Sequence, residues 1–147
     1  MSRPTVVSLC GSTRFWREFQ KQNLRLTLEG VIVLSIGAAT GTDDEHFGNL
    51  PAEEYDRIKR ALDDLHLRKI DLSDEILVLN VDGYVGDSTR REIVYAGRGN
   101  KTIRWLQPMT CPCCKGLGGF DGPEDVYECA LCHGSGRVGE VSQVEPV

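Results

Sequence analysis

Short apolar runs alternate with longer amphipathic stretches through the first two thirds of the chain. Thr5-Val6-Val7-Ser8-Leu9-Cys10 is too short for a helix and rich in branched residues, which predicts a strand. Gly11-Ser12-Thr13-Arg14 then reads as a tight turn, with Ser12 or Thr13 as the N-cap of a helix carrying Phe15, Phe19, Leu24, Leu26 and Leu28 to about Glu29, closed by Gly30. Val31-Ile32-Val33-Leu34 predicts a second buried strand. Between Ser35 and Leu50 the periodicity vanishes, and Gly, Thr and Asp predict a loop. Pro51 suits the first turn of a helix running through Ala61, Leu62 and Leu65 toward Ile70. The run Ile76-Leu77-Val78-Leu79 is a third buried strand, and Lys101 to Leu106 a fourth.

Strands alternating with helices imply right-handed crossovers and a parallel sheet. The expected fold is therefore α/β, a Rossmann-like (flavodoxin-like) parallel sheet of about four to five strands with flanking helices. Ligands of such sheets bind beyond the carboxyl ends of the strands. That places three turns on one rim: Gly11 to Phe15, Ser35 to Leu50, and Asp82 to Glu92. In the last of these, Gly83 and Gly86 loosen the backbone, and Asp87, Ser88 or Thr89 can cap a helix starting near Arg90. Strand, Gly-rich turn and helix N-terminus together make an anion site. Glu92 falls in the first turn of that helix, within reach of the loop's ligand or simply complementing the helix dipole.

A break in composition at Gln107-Pro108-Met109 divides the chain into an α/β domain (1–107) and a small module (108–140), with a loose tail at 141–147. The module repeats one pattern, Cys111-Pro-Cys-Cys114-Lys-Gly-Leu-Gly118 and Cys129-Ala-Leu-Cys132-His-Gly-Ser-Gly136, with fourteen residues between Cys114 and Cys129. Each C-x-x-C turn supplies two thiolates, and two such turns complete a tetrahedral site for one structural zinc ion. Cys113 and His133 interrupt the pattern as bystanders or alternative ligands. Cys10 reads as a small buried apolar residue.

With 147 residues, 40% of them hydrophobic, the chain can build a full core beside this module. A net charge of -5 argues against a broad nucleic-acid footprint. The apolar run at the N-terminus is too short for a signal peptide or a membrane span, so a cytoplasmic protein with metal-bound rather than disulfide-bonded cysteines is expected.

The segments Leu9 to Phe15, Leu65-His66-Leu67-Arg68-Lys69-Ile70-Asp71 and Tyr84 to Ala96 together resemble the nucleoside 2-deoxyribosyltransferase superfamily, which includes the nucleoside 5'-monophosphate N-glycosidases. The resemblance covers roughly residues 5 to 106. It implies cleavage of a base–sugar bond, with Glu92 as the nucleophile at the anomeric carbon and no cofactor needed for catalysis. It further implies that Gly11, Ser12 and Arg14 hold a 5'-phosphate, unless Arg14 pairs with Glu18 along the helix. Gly86, Asp87 and Ser88 would close the other side, and Asp82 and Tyr84 would touch ribose or base. The family commonly carries an aspartate where this chain has His66. That histidine is therefore a candidate to hold the sugar or to act as general acid with a pKa near neutrality, or else a surface residue of its helix; Asp71 and Asp63 come next.

A homodimer is implied by the same resemblance. The alternatives are transfer of deoxyribose between bases, phosphoribohydrolase chemistry (whose glycine pair is missing here), and a non-enzymatic nucleotide-binding adaptor. The module resembles half of the cysteine-rich region of DnaJ-type chaperones. A protein partner docking on it fits the adaptor reading.

Overall fold

The computed structural model describes residues 2–37 and 40–139. The expected tail at 141–147 and the last residue of the module lie outside them, as do two residues of the loop expected between Ser35 and Leu50.

The elements run β1 (Val6–Cys10), α1 (Trp16–Leu28), β2 (Ile32–Leu34), α2 (Asp43–Phe47), α3 (Ala52–Asp71), β3 (Glu75–Val78), α4 (Asp87–Arg98) and β4 (Thr102–Trp105). They form an α/β fold with a four-stranded parallel sheet and flanking helices, of the flavodoxin-like kind. The strand order is β2-β1-β3-β4. β1 pairs in parallel with β2, Val7 opposite Val33, and with β3, Leu9 opposite Leu77. The chain steps one way from β1 to β2 and then jumps back across β1 to β3. Right-handed crossovers therefore put α1 on one face and α3 and α4 on the other, and α3 packs against α4.

β1 and β3 lie in the middle, covered on both faces, which is why they read as unbroken apolar runs. Leu9, Cys10, Ile76 and Val78 are fully buried, with Phe19 and Ile70 from the helices. Each large side chain so buried contributes roughly 1.5–3 kcal/mol. The one hydroxyl inside β1 is satisfied: Ser8 Oγ lies 2.6 Å from Ser73 Oγ, which donates to the Lys69 carbonyl at 2.8 Å.

Three elements depart from expectation. β2 is an edge strand rather than a buried one, and Ile32 is 46% exposed. The stretch after Ser35 contains α2, nucleated by a capping box in which the Thr42 side chain accepts from the Glu45 amide and Glu45 from the Thr42 amide. The fourth helix begins at Asp87 rather than near Arg90, because Gly86 takes the N-cap position without a side-chain cap. Asp87 and Ser88 thus belong to the first turn, and Glu92 moves to the second.

The chain divides into two compact units. One gathers residues up to Leu79 with Val85–Ile103, and the other gathers Asn80–Tyr84 with the chain from Arg104 onward. The second unit thus begins a few residues before the composition break at Gln107 and takes in residues 80–84. In the second unit β5 (Met109–Thr110) pairs antiparallel with β8 (Arg137–Val138), and β6 (Gly119–Asp121) with β7 (Val126–Glu128).

Asn80, fully buried, is what ties the earlier segment to this unit. Its Nδ2 donates to the Gln107 carbonyl at 2.8 Å, its Oδ1 accepts from the Gln107 amide at 3.0 Å, and Gln107 Oε1 accepts from the Asp82 amide at 3.0 Å. The side chain thus pairs with the Gln107 backbone much as a neighbouring strand would. Asn80→Ala leaves both Gln107 groups unpaired and should destabilise the second unit by roughly 2–4 kcal/mol in urea unfolding. An effect below about 0.5 kcal/mol would mean the pairing contributes nothing net.

Candidate active site and metal centre

Cys10 ends β1, His66 lies on the buried side of α3, and Glu92 lies on α4. Since α3 and α4 share one face of the sheet, the two side chains converge on the carboxyl end of β1. Cys10 Sγ lies 3.5 Å from His66 Nε2, and His66 Nε2 lies 3.9 Å from Glu92 Oε2. All three polar atoms fall within 4.8 Å of one another. Glu92 Oε2 is buried and has no hydrogen-bond partner.

Burial dominates the electrostatics. It pushes the Glu92 carboxyl up to about 8, against a downward pull from the Cys10 thiol and an upward push from Asp63. It brings the His66 imidazole down to about 4, aided by Lys69 and opposed by a hydrogen bond to the Leu9 backbone. It raises the Cys10 thiol well above its usual value, with the Glu92 charge adding to the effect. At pH 7 the free centre is therefore neutral in all three groups. A histidine held near 4 carries no proton to donate at neutral pH, so the expectation of a near-neutral acid at His66 gives way to a buried neutral imidazole. Nor is it a surface residue of its helix, being 8% exposed.

Of the two aspartates considered beside it, Asp63 belongs to this neighbourhood. Its carboxylate lies 3.3 Å from Lys59 Nζ and 3.8 Å from Arg91 Nη2. Asp71 sits at the far end of α3, where it accepts from the Tyr95 hydroxyl at 2.6 Å and pairs with Arg68 at 3.2 Å. That end leads into the amino end of β3, and Asp71 does not join the cluster.

The turn after β1 carries Gly11, Ser12 and Arg14. A Cβ at Gly11 would lie 3.1 Å from Leu79 Cβ, so glycine lets the turn pass close beside the chain leaving β3. Ser12 Oγ accepts from the Arg14 amide and caps the short turn Thr13–Phe15. Glu18, the alternative partner considered for Arg14, accepts from Gln22 at 2.7 Å. Thr13 Oγ1 accepts from the Asp43 amide at 3.2 Å, and Lys59 reaches Asp43 at 3.0 Å, which fastens α2 between this turn and α3. Across the sheet's rim Gly86 opens α4, Asp87 occupies its first position, and Ser88 Oγ accepts from Arg91 at 3.3 Å. With no side-chain cap at Gly86, the first amides of α4 offer donors to an anion. Asp82 and Tyr84 belong to the second unit; Asp82 has a positive φ of 53° in the turn Val81–Gly83, and Tyr84 is 40% exposed.

Cys10 is fully buried at the last position of β1, as its small apolar reading implies, and what the sequence does not show is that its thiol meets His66 and Glu92.

In the second unit Cys111, Cys114, Cys129 and Cys132 are all buried and their sulfurs lie within 4.8 Å of one another. Cys111 Sγ is 3.8 Å from Cys129 Sγ, and Cys114 Sγ is 3.7 Å from Cys132 Sγ. Thiolate–metal bonds of about 2.3 Å in a tetrahedron put sulfurs about 3.8 Å apart, so the four could hold one metal ion. The two repeats are built alike. The Gly118 amide donates to Cys114 Sγ and the Gly136 amide to Cys132 Sγ, both at 3.2 Å. The Cys111 amide donates to the Gly136 carbonyl and the Cys129 amide to the Gly118 carbonyl, so each repeat clasps the other. A Cβ at Gly118 would come 2.5 Å from the Gly134 carbonyl, and one at Gly136 2.5 Å from the Gly116 carbonyl. Cys113 is exposed and stands outside the four-sulfur cluster; His133, with a φ of 53°, also stands outside it.

Among the described residues no helix is long and apolar enough to cross a membrane. No family model matches the chain, and no curated protein matches it. Among solved structures the chain is similar to a 2-desoxiribosyltransferase from Leishmania mexicana, with a TM-score of 0.42 and 16% identity over 86% of this chain and 80% of that chain. At that identity and score the likeness says nothing of activity.

Proposed function

We propose that the α/β unit is an N-glycosidase that hydrolyses the base–sugar bond of a (deoxy)nucleoside 5'-monophosphate, and that the four cysteines hold one structural zinc ion. The observation that carries the enzymatic reading is Glu92: a carboxyl group beside the carboxyl end of a central strand, desolvated and with one oxygen lacking a partner. A buried carboxylate of this kind suits attack on an oxocarbenium-like carbon. In the first step a Glu92 oxygen bonds to the anomeric carbon as the carbon–nitrogen bond breaks, and the base leaves with the bonding electron pair and takes its proton from solvent. In the second, water displaces Glu92 from the sugar.

Ser12 and Arg14, on the turn after β1, are assigned the phosphate, Arg14 through charge-assisted hydrogen bonds. The opening amides of α4 at Asp87 and Ser88 face the same ligand. Zinc, when bound, supplies structural closure of the second unit and no chemistry to the glycosidic bond.

The test is a panel of ribo- and deoxyribonucleoside 5'-monophosphates with their matched nucleosides. Free base should appear from monophosphates with kcat/KM roughly 100-fold above that for nucleosides, and Arg14→Ala should erase most of that preference. Release only in the presence of a second base would make the protein a transferase. Binding without any release would make it a sensor.

The raised pKa of Glu92 also fits a proton donor to the leaving base. The pH profile separates the two roles. A nucleophile must be ionised, so kcat/KM climbs up to about pH 8 and levels off; a proton donor gives the mirror image, falling above it.

A further inference from the structure

We propose that Cys10, His66 and Glu92 form a second cation site, taking one soft divalent ion of the zinc class through a sulfur, a nitrogen and a carboxylate oxygen. The inference goes beyond the glycosidase reading and shares Glu92 with it: an ion held there takes the carboxylate that the nucleophile needs, so metal content and base release, measured separately, tell the failure of one from the failure of the other. Ligand atoms of three different types lie within 4.8 Å of one another, largely buried at the end of a strand. With metal–sulfur and metal–nitrogen bonds of about 2.3 and 2.05 Å, a tetrahedral ion places its sulfur and nitrogen ligands about 3.5 Å apart. Cys10 Sγ and His66 Nε2 already stand 3.5 Å apart. The nitrogen–oxygen edge wants about 3.4 Å by the same geometry, and the observed 3.9 Å closes by a small rotation of the Glu92 carboxylate.

One further feature fits a ligand set better than a hydrogen-bonded core. Glu92 Oε2 is buried without any partner, which is a costly state unless something arrives to meet it. The Leu9 backbone also acts on the His66 ring, working against the effect of burial on its basicity.

Charge balance agrees. On binding, Cys10 and, where protonated, Glu92 release their protons to solvent, and the thiolate and carboxylate neutralise the ion's two positive charges. Lys59, Lys69, Arg91 and Asp63 are the charged groups bearing on the centre from α3 and α4. The His66 and Glu92 side chains keep 9% and 12% of their surface exposed, so the cluster is reached from solvent on that side.

The full chain, equilibrated with excess zinc and freed of loose metal by gel filtration, should hold two zinc ions per chain by atomic emission. Cys10→Ser and His66→Asn, each checked for a wild-type circular-dichroism spectrum, should hold one. Cobalt added to protein already carrying one zinc should give the visible bands of a tetrahedral thiolate complex in wild type and not in Cys10→Ser. A single zinc in wild type, or a second ion retained in both variants, overturns the proposal. If a variant misfolds, the cobalt spectrum of the wild type decides alone: bands without sulfur charge transfer reject the site, and bands with it support the site.

Discussion

Replacing Glu92 with glutamine is expected to remove base release and to make the α/β unit more stable, increasingly so as the pH rises. The activity loss follows from the nucleophile's role and should be on the order of 10⁴-fold, since an amide cannot form the glycosyl-enzyme. The stability gain follows from linkage. Glu92 titrates at about 8 in the folded chain against 4.5 for an ordinary glutamate, so between these values the folded state holds a proton that the unfolded state has lost. Its contribution is fully present below about pH 4.5 and is lost as the pH climbs through 8. A neutral glutamine has nothing to lose. The gap between variant and wild type should widen from pH 6 to pH 9, toward an upper bound on the order of 4–5 kcal/mol.

His66 works in the opposite sense. Its folded value of about 4 lies below the 6.5 of an ordinary histidine, so its contribution fades as the pH falls through that interval. Thermal melts of protein carrying zinc in the cysteine module alone, at pH 5, 6, 7.5 and 9, provide the check. A gap that stays flat between pH 6 and 9 would mean that Glu92 is not desolvated in solution.

Stripping the metal with a chelator should unfold the second unit while leaving the α/β unit folded. The unit's buried side chains are few beyond its four cysteines, chiefly Trp105, Val138 and Asn80. A core this small cannot offset the entropy of ordering its chain. Four thiols converging without an ion also have no charge to balance their deprotonation. Zinc binding to comparable sites is worth on the order of 10–16 kcal/mol, more than a unit of this size can replace. Amide resonances from 109 to 139 should collapse to random-coil positions on chelation and return when zinc is added back, whereas those of β1, β3 and α3 stay dispersed. Cys129→Ser should mimic chelation, and Cys113→Ser should change nothing, because Cys113 is exposed and outside the cluster. A dispersed spectrum for the metal-free unit would show that packing alone sustains it.

The central strands and the long helices were legible because burial on both faces writes an uninterrupted apolar run, and burial on one face writes a helical period. Where neither holds, the sequence was quieter. Val31 to Leu34 looks as apolar as β3 yet lies at an edge, because strand order is a property of the whole sheet. Helix α2 spans five residues and has no periodicity; its signal was local, the Thr42–Glu45 capping box. The start of α4 shifted because a glycine can hold the N-cap position as an uncapped residue, leaving Asp87 and Ser88 free to enter the first turn. The four sulfurs were readable from spacing alone, since each C-x-x-C turn is a local structure. The Cys10, His66 and Glu92 cluster was not, because each comes from a different element and the meeting depends on how α3 and α4 share a face. Glu92 was readable as a candidate from its place after the Gly-rich turn, its role as nucleophile and the part of His66 only through resemblance, and the environment that shifts both pKa values is set by burial that no motif encodes.

The reciprocal clasp of the two cysteine repeats ties their histories together. Any side chain appearing at Gly118 strikes the backbone of the other copy, and one at Gly136 strikes back, so neither half can drift in sequence by itself. The β6–β7 hairpin between them is freer at its exposed tip, past Gly122, where a Cβ would come 2.2 Å from the Tyr127 ring. Diversification among descendants of this gene should therefore accumulate at the hairpin's tip, around 123–124, while the paired glycines stay locked in step.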